Sequence, residues 1–179
     1  MENYIGFLFL FPINKKYNYV IQKYFISLFS KEITINENQF KQLFAIDPRH
    51  PKHHIDKKAK QNLGDGKMII HLIVAKNTEY VNEYLKKLGR RSIDNLKYEQ
   101  TGVYRTKVPL QNSFHTTDDI SQLTKAITLF KEQNILNNED IQLIQHYISN
   151  RNESNYIFPN YDQELKEAKD KDLVYKNRR

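Results

Sequence analysis

A chain of 179 residues is long enough to bury a core. It contains no cysteine, which excludes disulfides, thiolate zinc sites and cysteine nucleophiles. Its formal charge of +7 favours polyanionic partners such as nucleic acid, although the same excess also favours solubility. The first apolar run, at residues 4–11, is too short to cross a bilayer and lacks the flanks of a signal peptide. We therefore expect a cytoplasmic protein without a membrane partner.

The first half of the chain predicts alternating strands and helices. The run YIGFLFLF is apolar on both faces, which is typical of a central strand, and Pro12 ends it. Apolar positions between Lys16 and Phe29 recur at helical spacing. At least one strand is then expected in EITI or in residues 40–46. The turn Gly64-Asp65-Gly66 precedes a further strand, MIIHLIVA.

The second half predicts a helix over residues 79–88, which Asn77 or Thr78 caps and Gly89 ends. Residues 96–110 indicate two short strands, or one strand and an irregular connection. Thr116 and Asp119 fit a capping box that opens a helix, and another helix begins near residue 138. The end of the chain is polar and basic, so we expect an extended or partly disordered tail.

Four of the six histidines lie between Asp47 and Asn77. His50, His53 and His54 are expected in a polar loop, and His71 in a buried strand. Neutral imidazoles gathered from a loop and a strand suit a divalent metal ion. The alternative is a solvated basic loop with one buried histidine.

Several of these patterns together resemble the small rolling-circle plasmid replication initiators, whose DNA-binding domain is an HUH endonuclease. FLFLFPI resembles the first strand of that family, and Pro48-Arg49-His50 with His53 resembles its metal-binding loop. Asp65-Gly66-Lys67 and the strand bearing His71 follow in the expected order, and GVYRT resembles the stretch with the nucleophilic tyrosine. The resemblance covers residues 4–107.

The resemblance implies an α+β fold, with a ferredoxin-like antiparallel sheet and helices on one face over residues 1–112. The residues themselves predict a carboxy-terminal helical appendage over residues 113–150 and a polar basic tail over residues 151–179. The resemblance implies that the appendage assembles subunits; the alternative is that it packs on the sheet. In this family the domain nicks and rejoins DNA, single-stranded or at an origin, during plasmid replication.

The resemblance also implies the chemistry of an endonuclease of the strand-transferase type. A divalent ion, manganese or magnesium with zinc as an alternative, would be held by His50, His53 and His71, and would polarise the scissile phosphate. Tyr104 would attack to form a phosphotyrosyl link. Lys107 would stabilise the phenolate or the phosphate. One departure matters: Ile69 stands where the family has the first histidine of its strand pair.

Two other enzymatic interpretations give some of the same residues different roles. The order His53-His54, then Asn62, then Asn77 resembles the ββα-metal (HNH-like) nuclease motif. In such a nuclease His54 would activate water while His53 and Asn77 hold the metal, and Tyr104 would be dispensable. In the rolling-circle interpretation His54 is instead a general base or a DNA contact. Two-histidine phosphoesterase chemistry would use His54 and His115, but it places its His-x-Thr motif on a strand, whereas His115 is expected to precede a helix.

The last alternative is a basic nucleic-acid-binding module without catalysis, which the isoleucine at position 69 favours. Binding would use basic side chains that cluster along the chain, and interleaved tyrosines such as Tyr80, Tyr84 and Tyr98 would stack on unpaired bases. The candidate basic contacts are Lys57, Lys58, Lys60, Lys86, Lys87, Arg90, Arg91 and Arg105.

Overall fold

The computed structural model describes residues 3–48, 50–75, 114–153 and 155–157. In chain order its elements are β1 (Tyr4–Leu10), a 3-10 helix (Pro12–Tyr17), α1 (Asn18–Tyr24), β2 (Ile26–Thr34), α2 (Glu37–Ala45), α3 (Lys52–Asn62), β3 (Lys67–Ala75), β4 (Phe114–Thr116), α4 (Ile120–Glu132) and α5 (Asn138–Ser149). The predicted helix over residues 79–88 and the predicted strands over residues 96–110 lie outside the described residues.

The four strands form one sheet in the order β2-β3-β1-β4, and every neighbouring pair is antiparallel. It follows that β1 and β2 run parallel with β3 between them, and that β3 and β4 run parallel with β1 between them. This is the ferredoxin-like arrangement, so the predicted α+β fold is confirmed.

Side chains of β1 alternate between two apolar layers, as the period of a strand requires. Phe7 and Phe9 belong to the larger core, to which α2, α3, α4 and α5 contribute. Leu8 and Leu10 belong to a smaller core with Ile21 of α1 on the opposite face. Helices therefore cover both faces of the sheet, so the prediction that they lie on one face was wrong. This double coverage explains the continuous apolar character of YIGFLFLF.

The helix predicted from residue 16 is shorter in the structure, because the chain becomes extended at Phe25 and β2 begins at Ile26. Pairing of β2 with β3 outweighs the helical spacing of Leu28 and Phe29 there. EITI supplies the end of β2 and the residue after it, whereas residues 40–46 lie mostly in α2. A capping box between Asn36 and Gln39 opens that helix.

The carboxy-terminal helices pack on the sheet. Leu123 and Phe130 of α4 and Ile144 of α5 are fully buried in the larger core. The segment predicted as a helical appendage also contains β4, which is an edge strand of the sheet. Thr116 therefore lies in a strand, and the prediction that it caps a helix was wrong. Asp119 caps α4 instead, because its carboxylate accepts from the Gln122 amide at 2.7 Å.

None of the helices in the described part of the chain combines the length and the apolar character that crossing a membrane requires.

Candidate functional site

His71 is a buried histidine of the smaller core. Its Nδ1 lies 2.8 Å from Ser27 Oγ and its Nε2 lies 2.7 Å from Asn18 Oδ1, so both ring nitrogens have partners. The ring is fully buried, and this burial lowers the pKa of His71 to about 4. His71 is therefore neutral at physiological pH and is held between β2 and α1.

The predicted metal ligands do not come together. His71 faces α1, and Ile69, two positions earlier on the same strand, packs on that same side. His50 lies beyond the other face of the sheet, where its ring contacts Phe44 of the larger core. Because the sheet separates them, His71 does not join His50 and His53 around one ion. Among the described residues, no group of three or more histidine or acidic side chains is placed to hold a metal ion.

His53 and His54 lie in the first turn of α3, so the prediction that they belong to a loop was wrong. Their rings are 4.3 Å apart between centroids, and both side chains are exposed. The Asn62 side-chain amide donates to the Lys58 carbonyl at 2.9 Å, which is a contact within the helix. The two histidines and Asn62 of the ββα-metal interpretation therefore lie on one helix.

A different set of side chains meets around the ring of Phe44, at the end of α2. The ring centroid of His115 lies 4.4 Å from that of Phe44, and the centroid of His50 lies 5.6 Å from it. Lys58 Nζ, from α3, lies 5.1 Å from the same centroid. We call this set, together with Asp47, the His50–His115 cluster.

Within the His50–His115 cluster the two imidazoles meet edge to face, with 5.5 Å between centroids and 64° between their planes. The Nε2 atom of His50 lies 3.6 Å from Oδ2 of Asp47. Asp47 is only 3% exposed, whereas the His50 side chain is 21% exposed. A buried carboxylate thus lies behind a histidine that still reaches solvent.

Local structure explains how the cluster forms. Past the end of α2, the Asp47 amide donates to the Phe44 carbonyl and the His50 amide donates to the Asp47 carbonyl, each at 3.2 Å. These two turns bring Asp47 and His50 to the same side of the connection. On the other side of the cluster, His115 pairs with Phe9 across β1 and β4, and their rings stack at 6.0 Å.

Sequence reasoning also placed His115 wrongly, because this residue lies on β4 and does not directly precede a helix. The pattern His115-Thr116-Thr117 carried the signal, since two β-branched residues favour an extended backbone. Thr117 holds the strand end in place: its hydroxyl accepts from the Phe7 amide at 2.9 Å, and its amide donates to the Phe7 carbonyl at 3.0 Å.

The predicted nucleic-acid contacts divide into two groups. Lys57 and Lys60 are exposed on α3, and Lys58 lies half-buried over Phe44. The remaining predicted residues lie outside the described residues; they are Tyr104, Lys107, Lys86, Lys87, Arg90, Arg91, Arg105 and Asn77.

Comparisons of the chain with protein-family models, with curated proteins and with solved structures found no match.

Proposed function

We propose that the protein binds nucleic acid through α3 and the adjoining His50–His115 cluster, and that it acts on the phosphodiester backbone. The observation that carries this proposal is that Lys58 and two imidazoles surround one ring, beside the exposed lysines of α3. Ammonium groups neutralise phosphates, and imidazoles donate hydrogen bonds and transfer protons. The formal charge of +7 adds a long-range attraction for a polyanion.

Binding is tested by fluorescence anisotropy with labelled single-stranded RNA and DNA over a series of salt concentrations. The double variant Lys57→Gln/Lys60→Gln should weaken binding to both. It should also reduce the slope of log K against log salt by roughly one to two units, because each lost phosphate contact contributes about 0.7 for a single strand.

The matched control is Lys125→Gln/Lys131→Gln, which removes two exposed charges from α4. It should leave the salt slope near that of the wild type. Equal losses of binding affinity in the two double variants would mean that binding depends only on net charge. This result would exclude α3 as the binding surface.

Nicking and joining by Tyr104 is the second candidate function, and the ferredoxin-like sheet order favours it because the rolling-circle resemblance implies that sheet. In this candidate the predicted divalent ion needs ligands other than His71, since the sheet separates His71 from His50 and His53. Labelled single-stranded DNA with manganese should then give a covalent protein–DNA product with the wild type and none with Tyr104→Phe. Cleavage that survives Tyr104→Phe would exclude the tyrosine mechanism.

A further inference from the structure

We propose that His50 and His115 form a general acid and base pair that cleaves RNA by using the 2′-hydroxyl of the substrate as the nucleophile. Asp47 positions His50, and Lys58 binds the phosphate. This inference rests on the proposed nucleic-acid binding, and it assigns a substrate class and a reaction to the His50–His115 cluster.

The separation of the two imidazoles suits this reaction. Their centroids are 5.5 Å apart and their planes are inclined by 64°. The attacking and leaving oxygens of one phosphodiester lie within a few ångströms of each other on opposite sides of phosphorus. Two imidazoles at this separation can each reach one of these oxygens through a hydrogen bond of about 3 Å.

The proximity of Asp47 indicates that His50 is the acid of the pair. The carboxylate is nearly fully buried and lies 3.6 Å from Nε2 of His50. A neighbouring carboxylate favours the protonated imidazole and fixes the orientation of its ring. In the proposed reaction His50, held by this contact with Asp47, gives its ring proton to the substrate.

The surroundings of His115 assign it the role of base. Its ring packs between Phe44 at 4.4 Å and Phe9 at 6.0 Å, and both phenylalanines belong to the larger core. Apolar neighbours favour the neutral imidazole, which is the form that accepts a proton. The two histidines thus have contrasting environments, as an acid and a base that work together require.

The proton transfers balance without any co-reactant. His115 takes the proton of the 2′-hydroxyl while the 2′-oxygen forms a bond to phosphorus. The bond from phosphorus to the 5′-oxygen breaks, and His50 gives its proton to that leaving oxygen. The products are a 2′,3′-cyclic phosphate and a 5′-hydroxyl. Because the nucleophile is part of the substrate, the reaction gains the advantage of an intramolecular attack.

Lys58 completes the site. Its ammonium group lies over the ring that both histidines contact, so it is placed to neutralise charge on the non-bridging oxygens as the bond to the 2′-oxygen forms. DNA lacks the 2′-hydroxyl, so it should bind at the same surface without being cleaved by this route.

The test uses the full chain with a fluorogenic RNA oligonucleotide in the presence of EDTA. The matched substrate carries a single 2′-deoxynucleotide at the scissile position. We expect cleavage of the RNA, no cleavage of the deoxy substrate, and a 2′,3′-cyclic phosphate identified by mass spectrometry. His50→Gln and His115→Gln should each lower kcat by about 100-fold or more. The control His146→Gln, on an exposed position of α5, should match the wild type.

Asp47 is a positioning residue, and its variant has a signature of its own. Asp47→Asn should lower kcat with little change in KM, and should move the alkaline limb of the pH–kcat profile to lower pH. The reason is that the acid form of His50 loses its carboxylate partner. Besides Asp47, the titratable groups of the described chain in this cluster are His115 from β4 and Lys58 from α3. A pH–kcat profile that does not change in Asp47→Asn would exclude the positioning role of Asp47.

Two outcomes separate this inference from the proposed function. RNA that binds to the wild type with salt dependence but is not cleaved would overturn the acid–base pair alone. Absence of RNA binding would overturn both.

A second experiment applies if a histidine variant fails to fold, as measured by circular dichroism. The wild type is then modified with diethyl pyrocarbonate, with and without the bound deoxy substrate. Protection of both histidines is expected, and unchanged modification would contradict the proposal.

Discussion

Lys31 of β2 and Asp140 of α5 form a salt bridge, with Nζ 2.5 Å from Oδ2, that joins an edge strand of the sheet to a carboxy-terminal helix. The Asp140 side chain is only 18% exposed. We expect a coupling of about 1 kcal/mol in a double-mutant cycle with Lys31→Met and Asp140→Asn, followed by urea unfolding. The pair Lys41 and Glu37, one helical turn apart on α2, should couple more weakly. Zero coupling between Lys31 and Asp140 would contradict a stabilising role.

The carboxy-terminal helices should be required for stability. Leu123→Ala should lower the free energy of unfolding by about 2–5 kcal/mol, because it leaves a cavity in the larger core. Leu143→Ala is the matched control on α5, since that side chain is 42% exposed, and it should change stability by less than about 0.5 kcal/mol. Similar small effects of both variants in urea unfolding would mean that these helices form a separate unit.

His71 should make stability depend on pH in the weakly acidic range. Its pKa falls from 6.5 to about 4 on folding, so the unfolded chain binds a proton that the folded chain excludes between these values. Stability from this group is complete above about pH 6.5 and is lost progressively as the pH falls to about 4. The loss amounts to about 3 kcal/mol.

The measurement is urea unfolding of the wild type and of His71→Gln across this range of pH. His71→Gln should lose this decrease in stability between about pH 6.5 and pH 4. His146→Gln should keep it, because His146 is exposed. A decrease that persists in His71→Gln would assign the pH dependence to another group.

Gly66 should not tolerate a side chain. Its φ is +76°, and a Cβ atom there would lie 2.6 Å from the Ile35 carbonyl oxygen. Gly66→Ala should therefore cost about 2 kcal/mol or more, from left-handed backbone strain of about 1–2 kcal/mol and from the steric clash. Gly64→Ala should cost less, because its closest contact is a side-chain methyl of Ile13 at 3.0 Å. Thermal unfolding of the two variants gives the comparison, and the reverse order would refute it.

Local patterns were sufficient to predict the elements whose signals lie in their own residues. β1, β3 and the Gly64–Gly66 turn are of this kind, because apolar runs and glycines act over a few positions. Local patterns could not predict the face of the sheet on which His71 lies, because that face depends on which helix covers each side of the sheet. His115 meets His50 only because a strand of three residues pairs with β1. A strand that short has almost no periodicity, so the sequence could not place the His50–His115 cluster.

The position of β1 in the sheet has a consequence for synthesis on the ribosome. This strand is synthesised before its neighbours β3 and β4, and the Phe7 amide donates a hydrogen bond to Thr117, 110 positions later. A central strand with such distant partners raises the contact order, so folding should be slow and should wait until β4 has been synthesised. Until then YIGFLFL is an uncovered apolar segment with unpaired backbone groups, which makes the nascent chain prone to aggregation and a suitable client for a chaperone.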